Sequence, residues 1–311
     1  MTAEAPIDIA PGAWSPNRDR AKLVQNIVKF ICGAFAAISI ATTLGIVATL
    51  IFETIAFFQE ISIWSFLTDT RWTPLFSSKQ FGIMVLISAT VMISVISILV
   101  ALPLGLLAAV CLSEYATPGV RKVLKPVLEI LAGVPTVVYG YFALLTVTPF
   151  LQTFIPGLKG FNALSAGVVL GIMITPMVAS LSEDAIYSVP RSLRDGSYAL
   201  GATKRETVTS VVLPAALSGI VASLILAVSR AIGETMIVTL AAGANPRLGF
   251  NPLVPVQTMT AFIVQVTAGD APHGTIEYKT LFAVGMTLFL MTLVLNIFSF
   301  WFVRRFREKY E

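Results

Sequence analysis

Val221-Ala-Ser-Leu-Ile-Leu-Ala-Val-Ser-Arg230-Ala-Ile-Gly-Glu234-Thr-Met-Ile-Val-Thr-Leu240 is apolar almost throughout, yet it holds two opposite charges four residues apart. A run of this length reads as a membrane-spanning helix, which needs roughly 20 residues to cross a hydrocarbon core of about 30 Å. Positions i and i+4 share a helix face, so Arg230 and Glu234 are expected to neutralise each other in part. A charge at bilayer depth costs roughly 2.5 to 3.5 kcal/mol even on a lenient insertion scale, and such residues mark transport routes by default. The competing reading is a structural ion pair that locks two helices together.

The rest of the chain agrees with a membrane solvent. Of 311 residues, 56% are hydrophobic and only 12% charged, with a mean hydropathy of +0.84. Soluble domains carry about 25% charged residues. An all-α, polytopic membrane protein follows, with six runs long enough to cross, near residues 24–56, 82–112, 123–150, 163–187, 213–243 and 278–303. Residues 1–23, with Pro6, Pro11 and Pro16, read as a disordered cytoplasmic tail, and 24–311 as the transmembrane domain. The apolar run after the tail is too long for the core of a secretory signal.

Charge sets the orientation. Fifteen of the 21 basic residues fall on the side that holds Arg18, Arg121, Arg191 and Arg304, and five on the side that holds Arg71, Lys79, Lys159, Arg247 and Lys279. Cytoplasmic loops are enriched in Lys and Arg, so both termini are expected in the cytoplasm. The net charge of +4 needs no nucleic-acid partner. Phe57, Phe58 and Trp64 outside, and Phe300, Trp301 and Phe302 inside, suit interfacial aromatic belts.

Chemistry beyond the membrane is sparse. Cys32 and Cys111 lie in apolar runs and read as small packing residues, with no disulfide or metal spacing. The single His273 sits in a polar loop, so no histidine metal site or triad is expected. Breakers interrupt three spans: Pro103 in the second, Ala132-Gly133-Val134-Pro135 in the third and Thr175-Pro176 in the fourth. Proline frees a carbonyl that must be satisfied elsewhere, so broken helices pack on protein or line a cavity. Gly167-Val-Val-Leu-Gly171 has the small-residue spacing that lets helices approach closely.

The loop between the fourth and fifth spans reads Ser188-Val-Pro-Arg-Ser-Leu-Arg-Asp195-Gly-Ser-Tyr-Ala-Leu-Gly201-Ala-Thr-Lys-Arg-Glu-Thr-Val-Thr-Ser-Val-Val-Leu213-Pro214. Pro190 suits a first helical turn. Gly201 suits the left-handed residue that ends a helix. Thr203 followed by Glu206 is a capping box. A short helix, a tight turn and a second short helix over about 190–212 are expected, a projecting unit that fits a groove on a soluble partner.

This loop resembles the coupling motif of ABC-importer permeases. The matching residues are Asp195-Gly196-Ser197, Gly201, Val211 and Leu213-Pro214, where the usual form begins Glu-Ala-Ala. Gly196 is a poorer helix former than alanine by about 1 kcal/mol, which weakens the first short helix. Glu129-Ile-Leu-Ala-Gly-Val-Pro-Thr-Val-Val-Tyr-Gly140, Ser182-Glu-Asp-Ala-Ile-Tyr-Ser-Val-Pro-Arg-Ser-Leu-Arg and Ser229-Arg-Ala-Ile-Gly-Glu-Thr-Met236 are similar to stretches of phosphate-specific permeases, the last to the PstC type. The resemblance covers roughly residues 80–305.

The resemblance implies a type I importer permease with six spans in the inner membrane of a bacterium. Its partners would be a second homologous permease, two ATP-binding subunits, an extracytoplasmic phosphate-binding protein, inorganic phosphate and membrane lipid. Asp195, Gly196, Ser197, Ala199, Leu200, Gly201, Ala202, Leu213 and Pro214 would make or shape the ATPase contact. This chain has no Gly-x-x-x-x-Gly-Lys-Ser/Thr phosphate loop, so ATP and Mg²⁺ belong on partners and no cofactor is expected here. Phosphate would meet Arg230, with Glu234 holding the guanidinium between visits. Glu129 is open between a pathway group and a helix-packing partner. Glu183 and Asp184 are read as solvated or paired with Arg191 or Arg194. Sulfate, molybdate or phosphonate permeases are the nearest alternatives. A stand-alone secondary anion transporter leaves the coupling loop without a role and lacks an evident inverted repeat.

Overall fold

The computed structural model describes residues 18–269, 272 and 274–306. Residues 1–17 of the expected tail, and His273, lie outside the described residues. The first helix, α1 (Arg18–Glu60), starts inside the stretch assigned to the tail. By its internal contacts the chain divides into two units, Met1–Phe52 and Glu53–Glu311. In the first unit α1 exposes Phe30, Phe35, Ile38 and Leu44. Cys32 is exposed as well, and so is Cys111 in the second unit, so neither cysteine is the packing residue the sequence suggested.

The second unit is helical, and its one β-bridge among the described residues joins Trp72 to Phe81. After the last turns of α1 come the short α2 (Ile63–Thr68) and the long α3 (Met84–Val110), which a π-helical turn, Cys111–Tyr115, extends. The third expected span is two pieces. α4 (Pro118–Ala132) meets α5 (Thr136–Phe142) at a bend of 85°, and a π turn then joins α5 to α6 (Thr148–Gln152). Pro135 caps α5, so the break falls where the Gly133-Val134-Pro135 breaker lies. α7 (Ala163–Tyr187) continues past Pro176, and α3 past Pro103; neither proline ends its helix.

The loop unit follows as α8 (Arg191–Ala199) and α9 (Lys204–Thr207). A π turn, Val208–Val212, fuses α9 to α10 (Leu213–Ile232), so the second loop helix is the first turn of the fifth span. That span does not run on to residue 243. It stops at Gly233, resumes as α11 (Met236–Ala241), and is followed by a ten-residue apolar helix, α12 (Met259–Ala268), before α13 (Ile276–Phe306). α12 was not expected: ten residues rise only about 15 Å, too short to cross. Among the described residues, five helical stretches are long and apolar enough to span a membrane, or six if the bent third pair counts as one.

α3 and α7 form the centre of this unit. A Cβ on Gly167 would lie 2.7 Å from Ile96, and one on Gly171 would lie 2.6 Å from the Ser97 carbonyl oxygen. The two glycines therefore let the backbones touch, and dispersion between close-packed surfaces replaces the hydrophobic drive that lipid cannot supply. Ser182 and Ser223 hydroxyls meet at 2.8 Å and join α7 to α10. At the end that holds α2, Phe57, Phe66, Trp72, Phe81 and Phe262 form an edge-to-face aromatic cluster. Phe57 is wholly buried there, so it is core and not an interfacial belt residue.

Candidate functional site

The break at Gly233-Glu234-Thr235 settles both buried-depth charges, by a route other than the expected i,i+4 pair. α10 ends before Glu234, so the two residues do not share a helix face, and no ion pair joins them among the described residues. Arg230 lies in the last turn of α10, where the helix dipole favours a cation. Its side chain is exposed, with Nη2 3.7 Å from Met173 Sδ near the middle of α7. Glu234 is 8% exposed, and its Oε1 accepts from the backbone N–H groups of Met236 at 3.1 Å and Ile237 at 3.4 Å. A carboxylate at the start of α11 is favoured by the opposite pole of a helix dipole. Thr260 of α12 donates to the Glu234 carbonyl at 2.7 Å and fixes the break.

Two stretches far apart in sequence meet beside this break. Gly140 of α5 lies against α11: a Cβ there would be 2.7 Å from Leu240 Cδ1 and 3.3 Å from the Met236 carbonyl oxygen. The segments that follow the two interrupted spans thus pack on each other. They leave the Arg230 guanidinium open on the surface of this chain.

Glu129 sits elsewhere. It is exposed and lines a cleft of about 590 Å³ with Arg121, Lys122, Lys125 and Arg191, a wall that does not include Arg230. Glu183 and Asp184 do not pair with Arg191 or Arg194. Glu183, 1% exposed at its side chain, holds both Arg121 and Lys125, and Lys125 also reaches Asp184 at 2.6 Å. These cations come from α4, which runs beside the end of α7 and was hidden by the distance in sequence.

The loop unit takes the expected local form. Gly201 has φ +84°, the left-handed region. Thr203 and Glu206 complete the capping box from both sides. Pro190 caps α8 and does not occupy its first turn. Asp195, Gly196, Ala199 and Gly201 are exposed, and Leu200 is 90% exposed, a large apolar side chain offered to solvent. Ser197 faces inward, its hydroxyl 2.9 Å from Thr207 Oγ1 across the turn, and Ala202 is half-buried. Leu213 and Pro214 open α10 beyond the π turn.

One anchor escaped the sequence. Arg194 donates to the carbonyls of Ile186 and Val189 and to Glu114 Oε1 at 2.9 Å. It ties α8 to the end of α7 and to the π turn after α3. Nothing in the local pattern marked Arg194 above Arg191.

The comparisons with known proteins follow this geometry. Residues 101–310 match the family described as binding-protein-dependent transport system inner membrane component. The chain is 35% identical to a probable ABC transporter permease protein, YqgH, of Bacillus subtilis, across 85% of this chain and 86% of that one. It is 34% identical to the phosphate transport system permease protein PstC of Mesorhizobium japonicum, across 86% and 87%. Among solved structures, a bacterial ABC transporter involved in the import of the acidic polysaccharide alginate superposes with a TM-score of 0.64 at 18% identity, over 92% of this chain and 100% of that one. The MetNI methionine ABC transporter superposes with a TM-score of 0.53 at 19% identity, over 73% and 95%. A helical fold with a projecting loop unit, a family match over two thirds of the length and relatives matched nearly end to end agree: this chain belongs to the binding-protein-dependent transport inner-membrane components, the permease subunits of ABC importers.

Proposed function

We propose that this permease subunit imports inorganic phosphate, taken from an extracytoplasmic binding protein and passed inward by alternating access. The observation that carries the reading is the exposed Arg230 at the end of a membrane helix, with Glu234 engaged in a cap and not in an ion pair with it. A planar guanidinium stays charged at working pH and matches phosphate oxygens in pairs. Relatives named as phosphate permeases support the choice of anion. The exposed face would complete a pathway against a second permease.

The drive would come from partner ATPases carrying ATP and Mg²⁺, which would grip the exposed residues of α8 and the turn at Gly201. α9 is continuous with α10, so a push on the turn would move the helix that bears Arg230. Glu234 would act by holding the break in shape. Glu129, in the basic cleft, would stand outside the main route.

Phosphate uptake into vesicles holding the whole transporter tests this. Uptake should follow internal ATP and survive collapse of the ion gradient, and Arg230→Ala should abolish it while leaving the complex assembled. Full uptake by that variant would remove Arg230 from the route. Uptake of sulfate or molybdate in place of phosphate would keep the ABC mechanism and change the cargo.

A further inference from the structure

The cleft beside α4 has no part in this import reading, yet it gathers cations. Four cations in its wall, Arg121, Lys122, Lys125 and Arg191, face one carboxylate, Glu129. Two of the four are fixed in place. Glu183, buried beneath them, holds Arg121 and Lys125, Asp184 takes Lys125 as well, and the Arg121 guanidinium lies 3.9 Å over the Tyr187 ring. Those two acids balance those two bases. Lys122 and Arg191 are exposed and have no carboxylate partner among the described residues, so together they outweigh Glu129. Ser113, whose hydroxyl has no hydrogen-bond partner among the described residues, lies in the same wall.

Side chains already held lose less freedom on binding, so such a cluster gains affinity from its order. Several ammonium and guanidinium donors converging on one cleft suit a group with several charged oxygens. A volume of about 590 Å³ exceeds what a bare phosphate ion needs and leaves room for an attached glycerol.

We propose that this cleft binds a phosphate group, presented by an acidic phospholipid headgroup or by free inorganic phosphate. Arg191 opens α8 and Arg121, Lys122 and Lys125 belong to α4, so an occupant bridges the loop helix to α4 and restrains the movement of α8.

The test uses the full-length chain in neutral detergent and follows its melting temperature. Inorganic phosphate and solubilised phosphatidylglycerol are titrated separately, with phosphatidylcholine as the zwitterionic control. A saturable rise is expected with at least one of the first two, and about tenfold weaker binding in Lys122→Gln/Arg191→Gln, a loss of roughly 1.4 kcal/mol. The pair Lys122→Arg/Arg191→Lys should keep the response, and the titrations are repeated in Arg230→Ala, where no phosphate is held by that guanidinium and the rise that depends on Lys122 and Arg191 should remain. A rise with phosphatidylglycerol alone assigns the site to lipid, and one with phosphate alone assigns it to the solute. No saturable rise, an equal rise with phosphatidylcholine, a rise indifferent to Lys122→Gln/Arg191→Gln, or one lost in Arg230→Ala overturns the proposal.

Discussion

The guanidinium of Arg194 and the carboxylate of Glu114 lie 2.9 Å apart with side-chain exposures of 15% and 8%, and this pair fastens the loop helix α8 to the turn that ends α3. Arg194 spends its other donors on the carbonyls that end α7. One side chain therefore collects three elements at the base of the projecting unit. Breaking a buried pair by deleting one partner costs about 3–5 kcal/mol, because the other charge is left bare. Glu114→Ala should lower the melting temperature of the full-length chain by several degrees. It should also lower phosphate transported per ATP hydrolysed, since α8 would move without pulling α3 and α7. An unchanged transport-to-hydrolysis ratio in a variant that still assembles would show that the pair only stabilises.

Glu234 permits a sharper separation of roles. Its Oε1 accepts from two backbone amides at the start of α11, a duty that a glutamine carbonyl can perform. Loss of such a cap typically costs about 1 kcal/mol. Glu234→Gln should retain most transport, whereas Glu234→Ala should lose stability and a large part of uptake. If Glu234→Gln is as inactive as Arg230→Ala, the negative charge itself is required and the cap is secondary.

Much of this arrangement was legible in the residues. Hydropathy located the spans because lipid demands long apolar helices. The glycine at 201 and the Thr203–Glu206 box located the turn because each carries its own backbone geometry. The break at Gly233 was not legible, for two reasons. Hydropathy stays high through it, and the group that fixes it, Thr260, is 26 residues beyond Glu234. The reading of Arg230 and Glu234 as one helical pair failed for that reason alone. Likewise the partners of Glu183 come from α4, 58 residues and more away, and no local pattern could name them.

The α3–α7 seam gives a prediction about assembly. At Gly171 a Cβ would press to 2.6 Å against the Ser97 carbonyl oxygen and 2.7 Å against Val100 Cβ. Backbone on one side and a branched side chain on the other leave little room to yield. Overpacking of this kind costs about 1–3 kcal/mol for a single methyl. Gly171→Ala should reduce thermal stability of the purified chain, and Gly171→Leu should prevent a stable product in the membrane. Gly196→Ala, where a Cβ meets nothing within 4 Å, is the matched control and should be neutral or slightly stabilising.

Gly201 is the one position where the backbone itself demands glycine in the loop unit. Its φ of +84° is sterically closed to branched side chains, although a Cβ there would meet no neighbouring atom. The strain is thus conformational and not a clash, and a left-handed residue with a Cβ costs about 1–2 kcal/mol. Gly201→Val should escape that cost by opening the turn, which separates Ser197 from Thr207 and displaces Leu200. Spans packed elsewhere would be untouched, so the chain should still insert and melt near the parent temperature. What should fall is its recovery with the ATPase subunit in pull-down from membranes, with Gly201→Asn, which tolerates positive φ, intermediate. Equal recovery of the ATPase with Gly201→Val would mean that the turn is not part of the contact.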